Sequence, residues 1–328
     1  MSVSEFDIID QYFRTARPSR DDVLLGIGDD CALLSPPPGK QLAISTDTLI
    51  SGVHFPVATQ ARDVGYKSLA VNLSDLAAMG AQPAWASLAL SLPQVDEHWL
   101  GDFMRGFNEL AKQFNVSLIG GDTTRSPHKD LFSITINITG FIDEERALKR
   151  NRAQAGDQIF VTGQLGDAAA GLHCILHQQT ADSTTAYLIE RLNRPQPRVL
   201  AGQLLGDFSV AAIDISDGLY ADLGHLCRAS GCGAVIHLDQ LPLSGALRTF
   251  YRQKPDWAAI LNGGDDYELC FSCPPDQVDA MGQLLGSKQI PFSSIGYMTD
   301  SDEICCLAAD GSELSIENRS YNHFNDPA

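Results

Sequence analysis

The spacing of hydrophobic residues predicts helices and strands along most of the chain. Apolar residues at helical spacing predict an amphipathic helix over residues 100–114. Apolar residues at every second position of residues 132–138, Phe132 and then three isoleucines, predict a half-buried antiparallel strand. Further helices are predicted over residues 63–79, 168–177 and 219–229.

The predicted strands are distributed over both halves of the chain. They cover residues 41–45, 116–120, 159–161, 211–214 and 267–272. Because helices alternate with these strands, we expect an α/β (α+β) fold with a mixed sheet in each half. A charged, turn-rich stretch at Arg150–Gly156 separates the two patterned regions. We therefore predict an N-terminal domain over residues 1–150 and a C-terminal domain over residues 151–328.

Composition and charge narrow the classes of partner. The 328 residues are 44% hydrophobic, and 23 basic against 41 acidic residues give a net charge of −18. We do not expect nucleic acid or anionic membranes as partners, since both carry the same sign of charge. Small anionic substrates stay possible, because bound cations can reverse the field inside a cleft.

The sequence favours a cytoplasmic protein. Its N-terminal residues lack a signal-peptide pattern, and no apolar stretch approaches the roughly 20 residues of a membrane span. Eight scattered cysteines are expected to be reduced thiols. Cys270 and Cys273 form a C-x-x-C pair, which raises a zinc site as an alternative. They fall on a predicted strand, where positions three apart face opposite sides, so we favour buried thiols.

Aspartates beside glycine, serine or threonine recur along almost the whole chain. They are Asp30, Asp47, Asp75, Asp122, Asp214, Asp217 and Asp265. Short carboxylates on small-residue turns suit a hard cation, and glycine lets a phosphate approach the backbone. If these turns meet, carboxylates ~4 Å apart repel by about 4 kcal/mol per pair at an effective dielectric of about 20. The pattern therefore predicts a site for magnesium and nucleotide phosphates, assembled between the two halves.

Common nucleotide and phosphatase motifs are absent from the sequence. There is no G-x-x-x-x-G-K-[ST] segment, and the G-x-G that starts at Gly26 meets Cys31 where a Rossmann fingerprint has its third glycine. The haloacid-dehalogenase pattern, with two aspartates two residues apart, fails at Asp47 and Asp214. Each aspartate alone is typical of a turn or a helix cap, but their joint occurrence at predicted strand ends is not.

Six segments together resemble the thiamine-monophosphate kinase family. They are Gly26–Ala32 (GIGDDCA), Ser45–Leu49 (STDTL), Lys67–Ala81 (KSLAVNLSDLAAMGA), Ile119–Arg125 (IGGDTTR), Asp214–Leu219 (DISDGL) and Gly263–Leu269 (GGDDYEL). The likeness runs in order through nearly the whole chain. The family belongs to a superfamily with aminoimidazole ribonucleotide synthetase and selenophosphate synthetase. It implies an N-terminal sheet domain that pairs across a homodimer and an α/β C-terminal domain.

The resemblance also implies an activity and a set of site residues. The activity is transfer of the γ-phosphoryl group of ATP to thiamine monophosphate, with several Mg²⁺ ions. The implied metal ligands are Asp30, Ser45, Thr46, Asp47, Asp75, Asp122, Asp214 and Asp217. The implied ATP contacts are Gly121, Asp122, Arg150 and Ser216. The implied contacts to thiamine phosphate are His54, Asp265 and Tyr321.

One position departs from the family pattern. The family usually has Gly-Gly-Glu-Asp-Tyr-Glu-Leu, and here Asp265 replaces the first glutamate. The carboxylate is retained on a side chain shorter by one methylene. The C-terminal aromatic residue, here Tyr321, also varies among members.

The implied phosphoryl transfer requires the protein mainly to position the two substrates and to neutralise their charge. Phosphoryl transfer depends mainly on in-line positioning and charge neutralisation. The acceptor is a phosphate monoester with a second pKa near ~6, so its attacking oxygen is mostly deprotonated at neutral pH. We therefore expect direct transfer without a protein acid, base or phosphoenzyme.

Two other functions are compatible with parts of the sequence. The first is another ATP-dependent synthetase of the same superfamily. Selenophosphate synthetase needs a reactive cysteine or selenocysteine in an N-terminal loop, and no cysteine precedes Cys31. The second is a non-catalytic acidic metal-binding protein, for which the EF-hand loop pattern is missing.

Overall fold

The computed structural model describes residues 9–14, 20–128, 131–180 and 182–317, and these form two units. The first unit contains the chain up to Leu76 together with Ala81–Glu144. The second contains Ala77–Gly80 and the chain from Glu145 onward. No helix in the described ranges is both long and apolar enough to cross a membrane.

The first unit is built on a four-stranded sheet. Its elements are β1 (Val23–Leu25), β2 (Leu33–Leu34), β3 (Gln41–Ile50), α1 (Ala61–Ala78), β4 (Gln82–Leu92), α2 (Glu97–Gln113), β5 (Ser117–Arg125) and β6 (Ser133–Ile142). A short π-helical segment at Ile9–Phe13 precedes them. The strand order is β3-β6-β4-β5; β4 and β5 are parallel and the other neighbours are antiparallel. β1 and β2 form a separate antiparallel pair.

Two helices pack closely in this unit because glycines remove side chains at their crossing. A Cβ on Gly65 of α1 would overlap the carbonyl of Phe103, and one on Gly106 of α2 would overlap that of Arg62. α2 is amphipathic as predicted, and its N-cap Asp96 accepts the amides of His98 and Trp99.

The second unit is built on a six-stranded sheet. Its elements are β7 (Gln158–Thr162), α3 (Asp167–Leu176), α4 (Ser183–Asn193), α5 (Val199–Leu205), β8 (Ala211–Asp214), α6 (Leu219–Ser230), β9 (Gly233–His237), α7 (Gly245–Phe250), α8 (Trp257–Asn262), β10 (Leu269–Cys273), α9 (Val278–Ser287), β11 (Phe292–Thr299) and β12 (Ile304–Leu307). Three short 3₁₀ helices cover Glu144–Arg146, Arg150–Arg152 and Leu238–Gln240. The strand order is β12-β9-β11-β7-β10-β8; β9 and β12 are parallel and the other neighbours are antiparallel. Mixed sheets with helices in both units confirm the predicted fold class.

Two predicted strands were too short. β3 continues to Ile50 and β5 continues to Arg125. Both strands are longer because their polar residues also pair with the neighbouring strand through the backbone. Asp47 lies opposite Ile136, and Asp122 lies opposite Ala89. Both aspartates therefore lie within strands and do not follow them, which corrects the expectation that they lie at strand ends.

The apolar core of the second unit lies between its sheet and the surrounding helices. It includes Ile159 of β7, Ile213 of β8, Leu223 of α6 and Cys270 of β10, each at most 1% exposed. All eight cysteines are free thiols, and Cys270 and Cys273 are both buried. Within the described residues no group of three or more His, Cys, Asp or Glu side chains is arranged to bind a metal, so the zinc alternative has no cluster there.

Candidate functional site

A cavity of about 430 Å³ in the first unit brings together three of the predicted residues. Asp30, Gly121 and Asp122 all line it. Both aspartates are exposed, and the amide of Asp30 donates to Oδ1 of Asp29 at 2.9 Å. Arg14 also lines the cavity and was not predicted from the sequence. Asp29 lines it as well, so the cavity presents three carboxylates and one guanidinium group on a glycine-rich wall.

Gly121 is required by the close approach of β4 and β5. It pairs with Leu88, and a Cβ at this position would overlap the Leu88 carbonyl. Only glycine fits here, so strand packing accounts for the second glycine of the Gly-Gly-Asp motif. Gly121 also lines the cavity beside Asp122.

A second group of predicted residues lies where β3 packs on α1. The Ser45 hydroxyl donates to Oδ2 of Asp75. Asp47 lies two residues further along β3 and so shares the face of Ser45. Thr46 lies on the opposite face, where its hydroxyl accepts from Nδ2 of Asn137 at 2.7 Å. The structure thus groups the side chains of Ser45, Asp47 and Asp75 and separates that of Thr46 from them.

His54 lies in the turn after β3 with a defined ring orientation. Its Nδ1 accepts from the Ile50 amide at 3.0 Å, and its carbonyl accepts from the buried Lys67 at 3.4 Å. In the neutral ring the proton is therefore on Nε2.

The second unit places four predicted residues around one turn. Asp214 ends β8, and Ser216 and Asp217 lie in the turn before α6. The amide of Asp265 donates to the Ser216 carbonyl at 2.9 Å, and the amide of Tyr267 donates to the Ile215 carbonyl at 2.8 Å. The motifs Asp214–Leu219 and Gly263–Leu269 are thus adjacent, although about 50 residues separate them in sequence.

The carboxylates around this turn repel one another. Asp222, a residue that the sequence did not single out, is 4% exposed, and its Oδ2 accepts the amides of Ser216 and Asp217. Burial and then the charge of Asp214, with a smaller effect of Asp217, raise the pKa of Asp222 to about 7. Such a cluster favours a bound cation.

Arg150 and Tyr321 are the two remaining predicted residues. Arg150 lies on a short 3₁₀ helix with an exposed side chain, and its carbonyl accepts from the Ser230 hydroxyl at 2.7 Å. Tyr321 lies outside the described residues.

The donor set fits magnesium. The grouped side chains offer carboxylate and hydroxyl oxygens, which Mg²⁺ prefers. Cys31 also lines the cavity, but in the described part of the chain no group of three or more His, Cys, Asp or Glu side chains is arranged to bind a metal. Mg²⁺ is usually held by one or two carboxylates plus phosphate oxygens and waters, so it does not need a group of three protein carboxylates.

Comparison with known proteins identifies relatives over the full length. Residues 28–142 match the AIR synthase related protein N-terminal domain, and residues 154–305 match the corresponding C-terminal domain. The chain is 49% identical to the thiamine-monophosphate kinase of Escherichia coli (strain K12) over 329 residues, covering 100% of both chains.

Two solved structures are similar as well. The crystal structure of thiamine-monophosphate kinase from Stenotrophomonas maltophilia K279a has a TM-score of 0.86 and 48% identity, covering 96% of this chain and 99% of that chain. The structure of AaThiL complexed with AMPPCP and TMP has a TM-score of 0.78 and 30% identity, covering 98% of this chain and 97% of that chain.

Proposed function

Since this chain belongs to the thiamine-monophosphate kinase family of AIR synthase related proteins, we propose that it phosphorylates thiamine monophosphate to thiamine diphosphate with ATP as co-substrate. The observation that carries this proposal is 49% identity to such a kinase over the whole of both chains. A related structure complexed with AMPPCP and TMP supports the pair of substrates. The same identity disfavours another synthetase of the superfamily.

We infer that the metal site uses Asp30, Ser45, Thr46, Asp47, Asp75, Asp122, Asp214 and Asp217. The oxygen-rich donor set supports several Mg²⁺ ions, which when bound supply positive charge against the phosphates of both substrates. The Thr46 hydroxyl differs from the other oxygens on β3, because it contacts Asn137 on the other face of the sheet.

The reaction we propose is one direct in-line displacement. An oxygen of the acceptor phosphate forms a bond to the γ-phosphorus, and the bond from that phosphorus to the oxygen bridging to the β-phosphorus breaks. ADP leaves, and no proton transfer to the protein is needed because the acceptor oxygen is already mostly deprotonated. The side chains of the chain therefore act by binding and orienting the two substrates.

For nucleotide binding we propose Gly121, Asp122, Arg150 and Ser216. Gly121 lines the cavity without a side chain, which supports close approach of a phosphate, and an exposed guanidinium such as Arg150 is suited to phosphate oxygens. We propose that the N-terminal domain, residues 1–150, binds ATP and metal, and that the C-terminal domain, residues 151–328, completes the site.

For the acceptor we propose His54, Asp265 and Tyr321. The fixed ring of His54 supports donation from Nε2 to a phosphate oxygen. The half-buried carboxylate of Asp265 suits the aminopyrimidine, and an aromatic ring such as that of Tyr321 suits stacking on the thiamine rings.

The decisive experiment is an ADP-release assay coupled to chromatography of the product. We expect ADP formation that requires both Mg²⁺ and thiamine monophosphate, with thiamine diphosphate as product. Unphosphorylated thiamine is the control acceptor and should give no ADP above background. Calcium binding without nucleotide and without any turnover would instead favour the non-catalytic metal-binding protein.

We also infer a homodimer that pairs through the four-stranded sheet, in the cytoplasm. Leu42 and Ile44 support the pairing, because they lie on one face of the edge strand β3 and are 47% and 61% exposed. The eight free thiols support a reducing compartment.

Replacing Ile44 by Asp is expected to turn the dimer into a monomer, because it places a charge in the middle of this apolar face. Sedimentation equilibrium measures the change. Leu200 in the second unit is 50% exposed, so L200D is the matched control and should stay dimeric. A monomeric wild-type protein, or a dimeric I44D variant, would contradict the inference.

A further inference from the structure

The turn Ile215–Gly218 is held by hydrogen bonds on both of its sides. On one side, Oδ2 of Asp222 accepts the amide of Ser216 at 2.9 Å and the amide of Asp217 at 3.0 Å. On the other, the carbonyls of Ile215 and Ser216 accept the amides of Tyr267 and Asp265. A single side chain therefore fixes the amide side of the turn.

Asp222 holds the turn from inside the helix that follows it. Gly218 is the N-cap of α6, so the amides of Ser216 and Asp217 lie in the turn before the helix. The carboxylate of Asp222, in the first part of α6, accepts both amides and so fixes the turn that carries Asp214, Ser216 and Asp217.

The turn packs closely against residues 262–267, so a shift of the turn would also displace that segment. A Cβ on Gly264 would overlap the Ser216 carbonyl, and one on Gly218 would lie 2.7 Å from the carbonyl carbon of Asn262. The two segments are therefore in backbone contact. A change in the turn would also displace Asp265, which hydrogen-bonds to it.

We propose that Asp222 is a positioning residue for the metal–nucleotide site: it accepts the amides of Ser216 and Asp217 and so holds the turn in the orientation that presents the oxygens of Asp214, Ser216 and Asp217 to Mg²⁺. Asp222 contacts neither substrate in this proposal. The inference rests on the proposed kinase function, and it adds a residue that acts through Asp214, Ser216 and Asp217.

The test compares D222A and D222N in the full-length protein. Calorimetry measures binding of AMPPCP with Mn²⁺, and steady-state assays separate KM for Mg-ATP from kcat. We expect D222A to weaken metal–nucleotide binding at least tenfold, the range seen when residues that orient metal ligands are lost. D222N keeps an oxygen that can accept the amides, so we expect it to recover binding to within about fivefold of wild type.

The matched control is D157N, a change in another buried aspartate of the second unit. Asp157 is also 4% exposed and accepts the amide of Gln154 at 2.9 Å, but it precedes β7, at the opposite end of β10 from Asp214. D157N should lower thermal stability and leave the affinity for AMPPCP and Mn²⁺ unchanged.

Three results would overturn the proposal. They are wild-type binding in D222A, equal losses in D222A and D222N, or a loss in D157N as large as that in D222A. If D222A does not fold, D222L, whose side chain cannot accept the amides, replaces it under the same criteria. A wild-type protein that binds AMPPCP with Mn²⁺ but forms no thiamine diphosphate would count against the proposed function. The role of Asp222 would then be decided by the binding affinities of the variants alone.

Discussion

Replacing Asp122 by Asn should lower kcat/KM at least about a hundredfold while leaving the fold intact. Loss of residues that merely orient metal ligands already costs about 10- to 100-fold, so loss of a ligand should cost at least as much. Asp122 lines the cavity of the first unit together with Asp30 and is exposed, so its carboxylate does not hold the core together. We expect D47N to have a similar effect, because Asp47 shares a face of β3 with Ser45.

The measurement combines steady-state kinetics with thermal unfolding. Asp143 gives a matched control in the same unit, since its carboxylate pairs with Lys40 at 2.7 Å on the surface. D143N should retain wild-type kinetics and change the free energy of unfolding by less than about 1 kcal/mol. Wild-type turnover in D122N would remove Asp122 from the metal site, and a large drop in its melting temperature would show a structural role.

Strong periodic patterns were enough to locate most elements. α2 was predicted because its buried residues, such as Leu100, Phe107 and Leu110, repeat at helical spacing against a polar face. The ends of β3 and β5 were predicted wrongly. Serine, threonine and aspartate there resemble turn residues, and only pairing with β6 and β4 shows that they continue the ladder.

The aspartates were visible in the sequence, but their neighbours were not. Composition and spacing drew attention to Asp30 and Asp122, and the structure places both at one cavity. Arg14 and Asp222 were missed because they carry no motif of their own. The role of Asp222 depends on the direction of two backbone amides, which a sequence does not display.

The departure at Asp265 has a backbone explanation. Its φ is +70°, in the left-handed region, and Tyr267 nearby has a φ of +49°. Aspartate is enriched among non-glycine residues with positive φ, because its short side chain tolerates that conformation. The shorter acid therefore suits the strained turn better than glutamate would, and strain of this kind is common at functional sites.

Replacing Glu268 by Gln should destabilise the second unit by about 3–5 kcal/mol, because breaking a buried ion pair leaves uncompensated charge. Glu268 is fully buried, and its carboxylate accepts from Nε and Nη2 of Arg198 at 2.5 and 2.6 Å. Nη2 of Arg191 and the hydroxyl of Thr162 donate to it as well, at 3.1 and 2.7 Å. Glutamine keeps the shape but offers one acceptor oxygen and no charge to two guanidinium groups.

Urea unfolding followed by circular dichroism measures this effect. Asp207 forms an exposed pair with Arg146 at 2.8 Å in the same unit, so D207N is the control and should cost less than about 1 kcal/mol. A cost below about 1 kcal/mol for E268Q would show that the buried network is dispensable. A large cost would explain why the motif Gly263–Leu269 contains a second acid, Glu268. The amide of Asp265 is hydrogen-bonded to the turn of the candidate site, while Glu268, three residues later, anchors the same segment in the protein interior.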